Sequence, residues 1–402
     1  MPAEYITSLF RKSKTKIVML ILDGLGGLPI EPGGQTELEA AHTPNMDKMA
    51  QEGTLGQILP IRPGITPGSG PAHLALFGYD PLTYQVGRGA LEATGVGMHV
   101  SPGDVAVRGN LCTLDDNGVI VDRRAGRISS EDAAPIVAAL SEIEIEDAKF
   151  EVQHVKEYRF AVIMRADNLS ADLTDTDPQR TGVSPLQVQA SSPKAEHSAQ
   201  LFNQWIAKAH DVLSGQQVAN GLTLRGFGTD PVLPSYQQLY GLDAACIAVY
   251  PMSRGVSKLV GMNIIDLSGE EPIDEFKAAQ NIWDDHDFFF IHIKKTDSRG
   301  EDGDFPGKVR VIESVDDALP MLLGLNPDVV VITGDHSTPS KFKSHSWHPV
   351  PLLLWSPHSA LPDLQTQFGE RACAIGGLGT FPATDIMPLA LAHAEKLNKF
   401  GA

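Results

Sequence analysis

An α/β fold with a doubly wound, mostly parallel sheet is what this sequence predicts, on two observations. The first is a set of short apolar runs without alternation, at 17–22, 288–293 and 328–332. A strand buried on both faces needs no polar side, so such runs mark a parallel sheet covered by helices on each face. The second is the polar group just past the end of each run: Asp23-Gly24, Thr296-Asp297 and Gly334-Asp335-His336. In open α/β sheets, ligands bind beyond the carboxyl ends of the strands.

The Asp335-His336 pair organises the rest. An adjacent carboxylate and imidazole are hard, directional ligands, suited to a divalent ion such as Mn²⁺ or Zn²⁺. A plain strand-to-loop turn with a capping Asp is the alternative. The question becomes whether further ligands and a nucleophile stand at other strand ends.

Bulk composition narrows the field. The chain has 402 residues, 42% hydrophobic and 20% charged, the make-up of a globular protein of two or three domains. A net charge of -18 argues against nucleic acid or an anionic membrane as a partner. An anionic substrate would then require arginines gathered locally. Cys112, Cys246 and Cys373 lie far apart without a CxxC, so neither a disulfide framework nor a zinc knuckle is expected, which fits a reducing cytoplasm. Residues 1–16 carry no apolar core ahead of Arg11-Lys12-Ser13-Lys14, so no signal peptide is expected. No apolar run reaches the ~18 residues that span a bilayer, so a soluble protein is expected.

In chain order, the run 17–22 ends in Asp23-Gly24-Leu25-Gly26-Gly27. Thr43 caps a helix through about Glu52, with Pro44 at its first position. The stretch 63–71 is too rich in Gly and Pro to be regular. The apolar run after Pro71 reads as a helix, which places Ser69 at a helix N-terminus, where N–H groups favour phosphate and an alkoxide. Ser69 as a simple N-cap is the plainer alternative. His73, one turn in, either supports the site or is merely packed.

From about Tyr84 the texture becomes short strands, turns and arginines: Arg88, Arg108, Arg123, Arg124, Arg127, Arg159 and Arg225. Arg forks grip phosphate and carboxylate bidentately, so this segment reads as an anion clamp, scattered surface arginines being the plainer alternative. The spacing predicts a helix over 194–214, with Leu201, Trp205, Ala209 and either Val212 or Leu213 on one face. After about Gly241 the alternating texture returns: a strand over 244–249, a helix over 254–262 carrying Lys258, the run 288–293, and a last apolar run over 351–355.

Three strand ends, a following loop with His345 and one helix start thus offer oxygen and nitrogen ligands for two ions. One would take Asp23, Ser69, Asp335 and His336; the other Asp297, Glu301 and His345. An ion on Ser69 would supply a nucleophile at neutral pH and support in-line phosphoryl transfer. Asp122, beside the densest arginine cluster, is the candidate general base, a simple partner for those arginines being the plainer alternative.

Several motifs together resemble one family. They are Asp23-Gly24, Thr43-Pro44-Asn45-Met46-Asp47, the run 67–74 around Ser69, Gly87-Arg88-Gly89, the run 104–110, the run 122–127, Thr333-Gly334-Asp335-His336-Ser337-Thr338-Pro339 and the tail 399–402. They look like the archaeal-type cofactor-independent phosphoglycerate mutases of the alkaline phosphatase superfamily, along essentially the whole chain. The resemblance implies interconversion of 3-phosphoglycerate and 2-phosphoglycerate, in glycolysis and gluconeogenesis, through a phosphoserine. It implies two divalent ions, commonly Mn²⁺ (Mg²⁺, Co²⁺ or Zn²⁺ being alternatives), with no need for 2,3-bisphosphoglycerate. Ser69 would be the nucleophile, sharing its ion with Asp23, Asp335 and His336, while Asp297, the residue four on and His345 hold the second. A phosphatase-like domain over 1–84 and 239–402 would be interrupted by a smaller α+β domain over 85–238 that closes on the substrate, with Lys258 contacting substrate from the main domain. The sequence departs from the pattern at Glu301, where the family usually has His, and at Gly70, where it often has Asp. Two other readings stay open: a metal-dependent phosphatase or phosphotransferase on the same scaffold, and a metal-compromised protein that binds phosphorylated metabolites.

Overall fold

The computed structural model describes residues 3–84 and 86–401. The chain divides into two compact units, Met1–Gln85 with Leu233–Ala402, and Val86–Val232. The return thus falls at Leu233, a few residues ahead of the expected 239.

The first unit is built on a sheet that runs, among the described residues, in the order Gly379–Pro382, Thr54–Leu59, Val350–Trp355, Val329–Thr333, Ile17–Leu22, Phe288–Ile293, Ala244–Ala248, Asn263–Ile265. Its central strands are parallel, and Val350–Trp355 runs antiparallel to both of its neighbours. Every residue of Ile17–Leu22, Phe288–Ile293 and Val329–Thr333 is buried, and alternation explains why. Val18, Leu20, Leu22, Phe289, Ile291, Val330 and Ile332 pack with Met46, Phe276, Ile312, Val315 and Leu319, side chains of helices on one face. Phe288 and Phe290, one residue out of step, meet Tyr236 and Phe77 on the other. Two helical layers leave no polar face, which is why the runs carry no alternation.

Two local expectations are corrected. The helix carrying Lys258 spans Pro251–Leu259 rather than 254–262, because Pro251 occupies its first turn, where a missing N–H is harmless. Helix Pro44–Glu52 forms as the Thr-Pro signal implies, but Thr43 makes no side-chain cap hydrogen bond.

The second unit is an antiparallel sheet: Ile120–Asp122, Val105–Leu114, Arg159–Arg165 and Lys149–Lys156 in order, with Gly221–Gly228 also pairing with Val105–Leu114. Helices Ser130–Ser141 and Glu196–Leu213 cover one face through Val137, Leu140, Phe202, Trp205 and Leu213. Of the two candidates, Leu213 is buried, whereas Val212 is exposed. Helix Arg88–Gly95 covers the other face, with Ala90 and Ala93 on Ala106, Ala161 and Ile163. Gly89 permits that approach: a Cβ there would lie 2.2 Å from Val107 Cα.

Candidate active site

Parallel register assembles the first unit's polar cluster. Leu22 pairs with Ile293, and Ile21 with Thr333, so three neighbouring strands end at one level. The residues just beyond are Asp23, Lys294 to Asp297, and Asp335 to Thr338. Ser69 arrives from elsewhere, as the first residue of helix Ser69–Leu76. Gly68 takes the cap position, so the Ser69 hydroxyl is not spent on capping and lies 3.1 Å from His336 Nε2.

Around His336 Nε2 lie atoms that the protein leaves unsatisfied. Asp23 Oδ2 is held by Lys294 Nζ at 3.0 Å and faces His292 Nε2 at 3.2 Å. Asp335 Oδ1 accepts from the N–H groups of Gly24 and His336, each at 3.0 Å. The other oxygens, Asp23 Oδ1 and Asp335 Oδ2, are buried without a hydrogen-bond partner, 3.4 and 3.2 Å from His336 Nε2. Burial and the charge on Asp23 push Asp335 well above the usual carboxylate range. Burial also works against the charge of Asp23, but Lys294 and His292 outweigh it and hold that group well below.

The tautomer of His336 is set by its neighbour. Thr338 Oγ1 lies 2.8 Å from Asp297 Oδ1 and 2.9 Å from His336 Nδ1. A carboxylate only accepts, so the hydroxyl proton goes to Asp297 and the hydroxyl oxygen accepts from Nδ1–H. Burial, with His345 close by, holds His336 well below its ordinary pKa. The ring is therefore neutral, with the Nε2 lone pair turned toward two carboxylates and Ser69. A lone pair facing carboxylate oxygens is repulsive unless a proton on Asp335, favoured by its raised pKa, or a metal cation lies between them. Two bonds of ~2.1 Å to one ion separate its ligands by roughly 3 to 4.2 Å, the range seen here. The donor set fits a divalent ion.

A second cluster adjoins the first. His345 Nδ1 donates to the Pro67 carbonyl at 2.9 Å, leaving Nε2 directed at Asp297 Oδ1 (3.7 Å) and Glu301 Oε1 (3.9 Å). Its ring stacks on His336 with centroids 3.6 Å apart. Asp297 and Glu301 share a face of helix Lys295–Asp302, four residues apart. Ligand atoms of Asp297, His336 and His345 lie within 4.8 Å of one another, as do those of Asp23, Asp335 and His336.

Supporting groups complete the floor, and of these the sequence does not single out Lys294 or Lys308. Lys294 Nζ bridges Asp23 Oδ2 to Asp297 Oδ2 (2.5 Å). Burial opposes its charge, but the two carboxylates more than offset that and raise its pKa. Lys308, fully buried, donates to the carbonyls of Gly24 (2.8 Å), Gly26 (3.1 Å) and Thr338 (2.9 Å), tying the two ligand-bearing loops together. Gly24 holds φ +65°, and a Cβ there would meet Thr338 Oγ1 at 2.6 Å. His73 Nδ1 donates to the Ser69 carbonyl at 2.7 Å, and burial together with His292 pushes its pKa down to about 3. It is a neutral brace for the Ser69 turn. Lys258 is exposed in the last turn of its helix.

The arginines belong to the second unit, and register sorts them. Arg108 pairs across the sheet with Arg225, and Asn110, two residues on, pairs with Arg159. Side chains of register partners stand on one face, as do those of residues two apart, so Arg108, Arg159 and Arg225 share the face that carries helix Arg88–Gly95. Glu92 Oε1 accepts from Arg88 Nε (3.0 Å) and Arg108 (3.1 Å), and Asp175 lies 3.8 Å from Arg225. Cations outnumber carboxylates among these six. Arg123 is held bidentately by Asp177 at 2.7 and 3.1 Å, while Arg124 and Arg127 are exposed. Asp122 accepts from the N–H groups of Arg124 and Gly126, each at 2.8 Å. Both its oxygens therefore brace a turn in which Ala125, Gly126 and Arg127 all hold positive φ.

Comparison with known proteins gives one consistent picture. A family model described as 2,3-bisphosphoglycerate-independent phosphoglycerate mutase matches residues 50–219. A protein of Deinococcus radiodurans is 50% identical over 404 residues, covering 99% of this chain and 98% of its own. One of Thermotoga petrophila is 49% identical over 401 residues, covering 99% of each. Both are named probable 2,3-bisphosphoglycerate-independent phosphoglycerate mutase. Among solved structures, a Pyrococcus horikoshii protein superposes with a TM-score of 0.84 at 32% identity, over 97% of this chain and all of that one. The cofactor-independent phosphoglycerate mutase of Thermoplasma acidophilum gives 0.70 at 30% identity, over 94% of this chain and all of that one.

Proposed function

Because the chain belongs to the 2,3-bisphosphoglycerate-independent phosphoglycerate mutase family, we propose that Ser69 carries the phosphoryl group in its reaction. The chain is an isomerase of that family, acting on a small phosphorylated three-carbon acid without 2,3-bisphosphoglycerate. The reaction moves a phosphoryl group between the 3- and 2-hydroxyls of glycerate.

One observation carries the Ser69 reading: the hydroxyl meets the His336 lone pair where two buried carboxylate oxygens lack partners. We propose that Asp23, Ser69, Asp335 and His336 hold one divalent ion, and Asp297, Glu301 and His345 another, Mn²⁺ foremost. Ions bound there lower the pKa of a bound hydroxyl and offset charge on a transferring phosphoryl group. The residues do the rest. His73 fixes the Ser69 carbonyl and so steadies the backbone from which the hydroxyl projects. Ser69 Oγ gives up its proton and attacks phosphorus while the glycerate oxygen leaves and takes up a proton; in the return step the other glycerate hydroxyl gives up its proton and attacks phosphoserine, and Ser69 Oγ departs and is reprotonated. Backbone N–H groups at the start of helix Ser69–Leu76 stabilise the anionic oxygens.

The unit Val86–Val232 is proposed as the substrate-holding domain, with Arg88, Arg108, Arg159 and Arg225 gripping carboxylate and phosphate and Arg123, Arg124 and Arg127, on a separate turn of the same unit, as further cations. Lys258 is proposed as a further cation for substrate. Asp122 is the candidate base by sequence, yet its two accepted N–H bonds favour a part in shaping the arginine turn. Three buried free cysteines fit a reducing cytoplasm. Among the described residues no helix is long and apolar enough to cross a membrane.

The test is an enolase-coupled assay on 3-phosphoglycerate, with acid quench and mass spectrometry of the protein. Wild type forms 2-phosphoglycerate and a phosphopeptide containing Ser69; Ser69→Ala gives neither. Appreciable mutase turnover by Ser69→Ala would overturn the assignment, and release of phosphate without 2-phosphoglycerate would favour a phosphatase.

A further inference from the structure

The two clusters differ in a way that sets their ion preferences. In the first, Asp23, Asp335 and His336 are fully buried, and each carboxylate has one oxygen fixed by the protein and one left over. Two buried carboxylate oxygens without partners thus face that ion from rigid positions. In the second, Asp297 is buried but already engaged: Oδ1 takes the Thr338 hydroxyl and Oδ2 the Lys294 ammonium. Lys294 is shared between the two centres but lies nearer Asp297 (2.5 Å) than Asp23 (3.0 Å), so without Glu301 a second ion would face little net negative charge.

Glu301 supplies what is missing. Its carboxylate lies 3.9 Å from His345 Nε2, too far for a hydrogen bond and within the separation that two ligands of one ion adopt. The side chain is 56% exposed, and the Glu301 carboxylate can adjust while Asp297 and His345 stay fixed. A carboxylate suits hard ions such as Mn²⁺ and Mg²⁺, whereas imidazole suits Zn²⁺ better.

We infer that Glu301 is the selectivity ligand of the second centre: it makes that centre weaker and more exchangeable than the first, and tilts it toward Mn²⁺ and Mg²⁺ over Zn²⁺. This rests on the reading of the site as a two-ion centre. The first centre fills first, because its geometry is built in advance. The second fills as the Glu301 carboxylate swings in.

The experiment titrates metal-stripped full-length protein with Mn²⁺ by calorimetry, without substrate. It then measures bound metal by mass spectrometry after equilibration with Mn²⁺ and Zn²⁺ together. Wild type shows one tight and one weaker Mn²⁺ site. Glu301→Gln keeps the tight site and weakens the other by at least about tenfold, the scale of losses at metal-supporting groups. Glu301→His keeps both sites and shifts the Zn²⁺ to Mn²⁺ ratio at the weaker one by a similar factor toward Zn²⁺. Because the side chain is largely solvent-facing, both variants fold, and an unchanged melting temperature of the stripped protein checks this. A Glu301→Gln titration superposing on wild type, or a Glu301→His ratio that does not move, overturns the inference. No turnover enters these readouts, so failure of the mutase reading would show only in the coupled assay and failure of this inference only in the titration.

Discussion

Thr338→Val tests the tautomer argument on which the site's chemistry depends. Valine matches threonine in shape but removes the hydroxyl that receives from His336 Nδ1–H at 2.9 Å and donates to Asp297 Oδ1 at 2.8 Å. The bond to a carboxylate is worth ~1.5–3 kcal/mol and the neutral one ~1 kcal/mol. The loss falls on both clusters, since His336 serves the first and Asp297 the second. The imidazole is left with a buried, unpaired N–H, or turns its other tautomer toward Asp23 and Asp335, and either state makes Nε2 a poorer donor. Groups that orient metal-binding histidines cost roughly 10–100-fold in affinity when removed, equivalent to ~1.4–2.8 kcal/mol, in line with the bond energies. The assay is Mn²⁺ calorimetry on stripped protein. Thr338→Val should weaken both sites by that factor, while Thr338→Ser, which keeps the hydroxyl, should stay within about threefold. If Thr338→Val binds Mn²⁺ as wild type does, His336 is not set by Thr338 and the lone-pair argument fails.

Lys308→Met strips three carbonyls of their buried ammonium. It should destabilise the first unit by about 3 kcal/mol or more, at ~1–3 kcal/mol for each buried carbonyl left unpaired, and weaken both metal sites together, read by urea unfolding and calorimetry; unchanged unfolding would refute the tie between loops. Glu275 is buried with one oxygen unpartnered, and burial pushes its pKa up to about 9. A carboxyl whose folded pKa is raised contributes its full stability below the unfolded value of ~4.5 and loses it as pH climbs toward 9, at up to ~1.4 kcal/mol per unit. Glu275→Gln should therefore be close to neutral near pH 4.5 and more stable than wild type by roughly 3–5 kcal/mol at pH 8; an equal gap at both pH values would sink this.

How much of the molecule was legible in the sequence depended on how local each signal was. The strands 17–22 and 288–293 stand at the predicted residues because burial on both faces writes itself as an unbroken apolar run. Asp23, Asp297 and Asp335 were recognisable because parallel strands deliver their ends to one edge. Helix Ser130–Ser141 passed unread, with Pro135 inside it and few large apolar residues. Lys308 was invisible for a different reason. On helix Phe305–Leu323 a lone Lys reads as solvated, and only the return of residues 24–26 and 338 beneath it makes it structural. Thr338 was visible within a motif, yet its role needs two partners, one of them 41 residues away. The arginines were legible as a cluster, but their division between one sheet face and a separate turn depends on strand register.

The supporting groups act at different depths, and that ordering separates framework from ligand. Lys308 touches only backbone, beneath both loops, so its loss should lower both affinities in proportion to the disorder it releases. Thr338 touches one ligand of each centre, so its loss should lower both without unfolding the unit. Lys294 lies on Asp23 and Asp297 directly and competes with the ions for charge. Glu301 faces only the second centre. A single two-site titration across Lys308→Met, Thr338→Val and Glu301→Gln should thus give two variants in which both sites weaken and one in which a single site does. If all three instead lowered both sites equally, the clusters would be one cooperative pocket, with donors too interdependent for any residue to set one ion's preference.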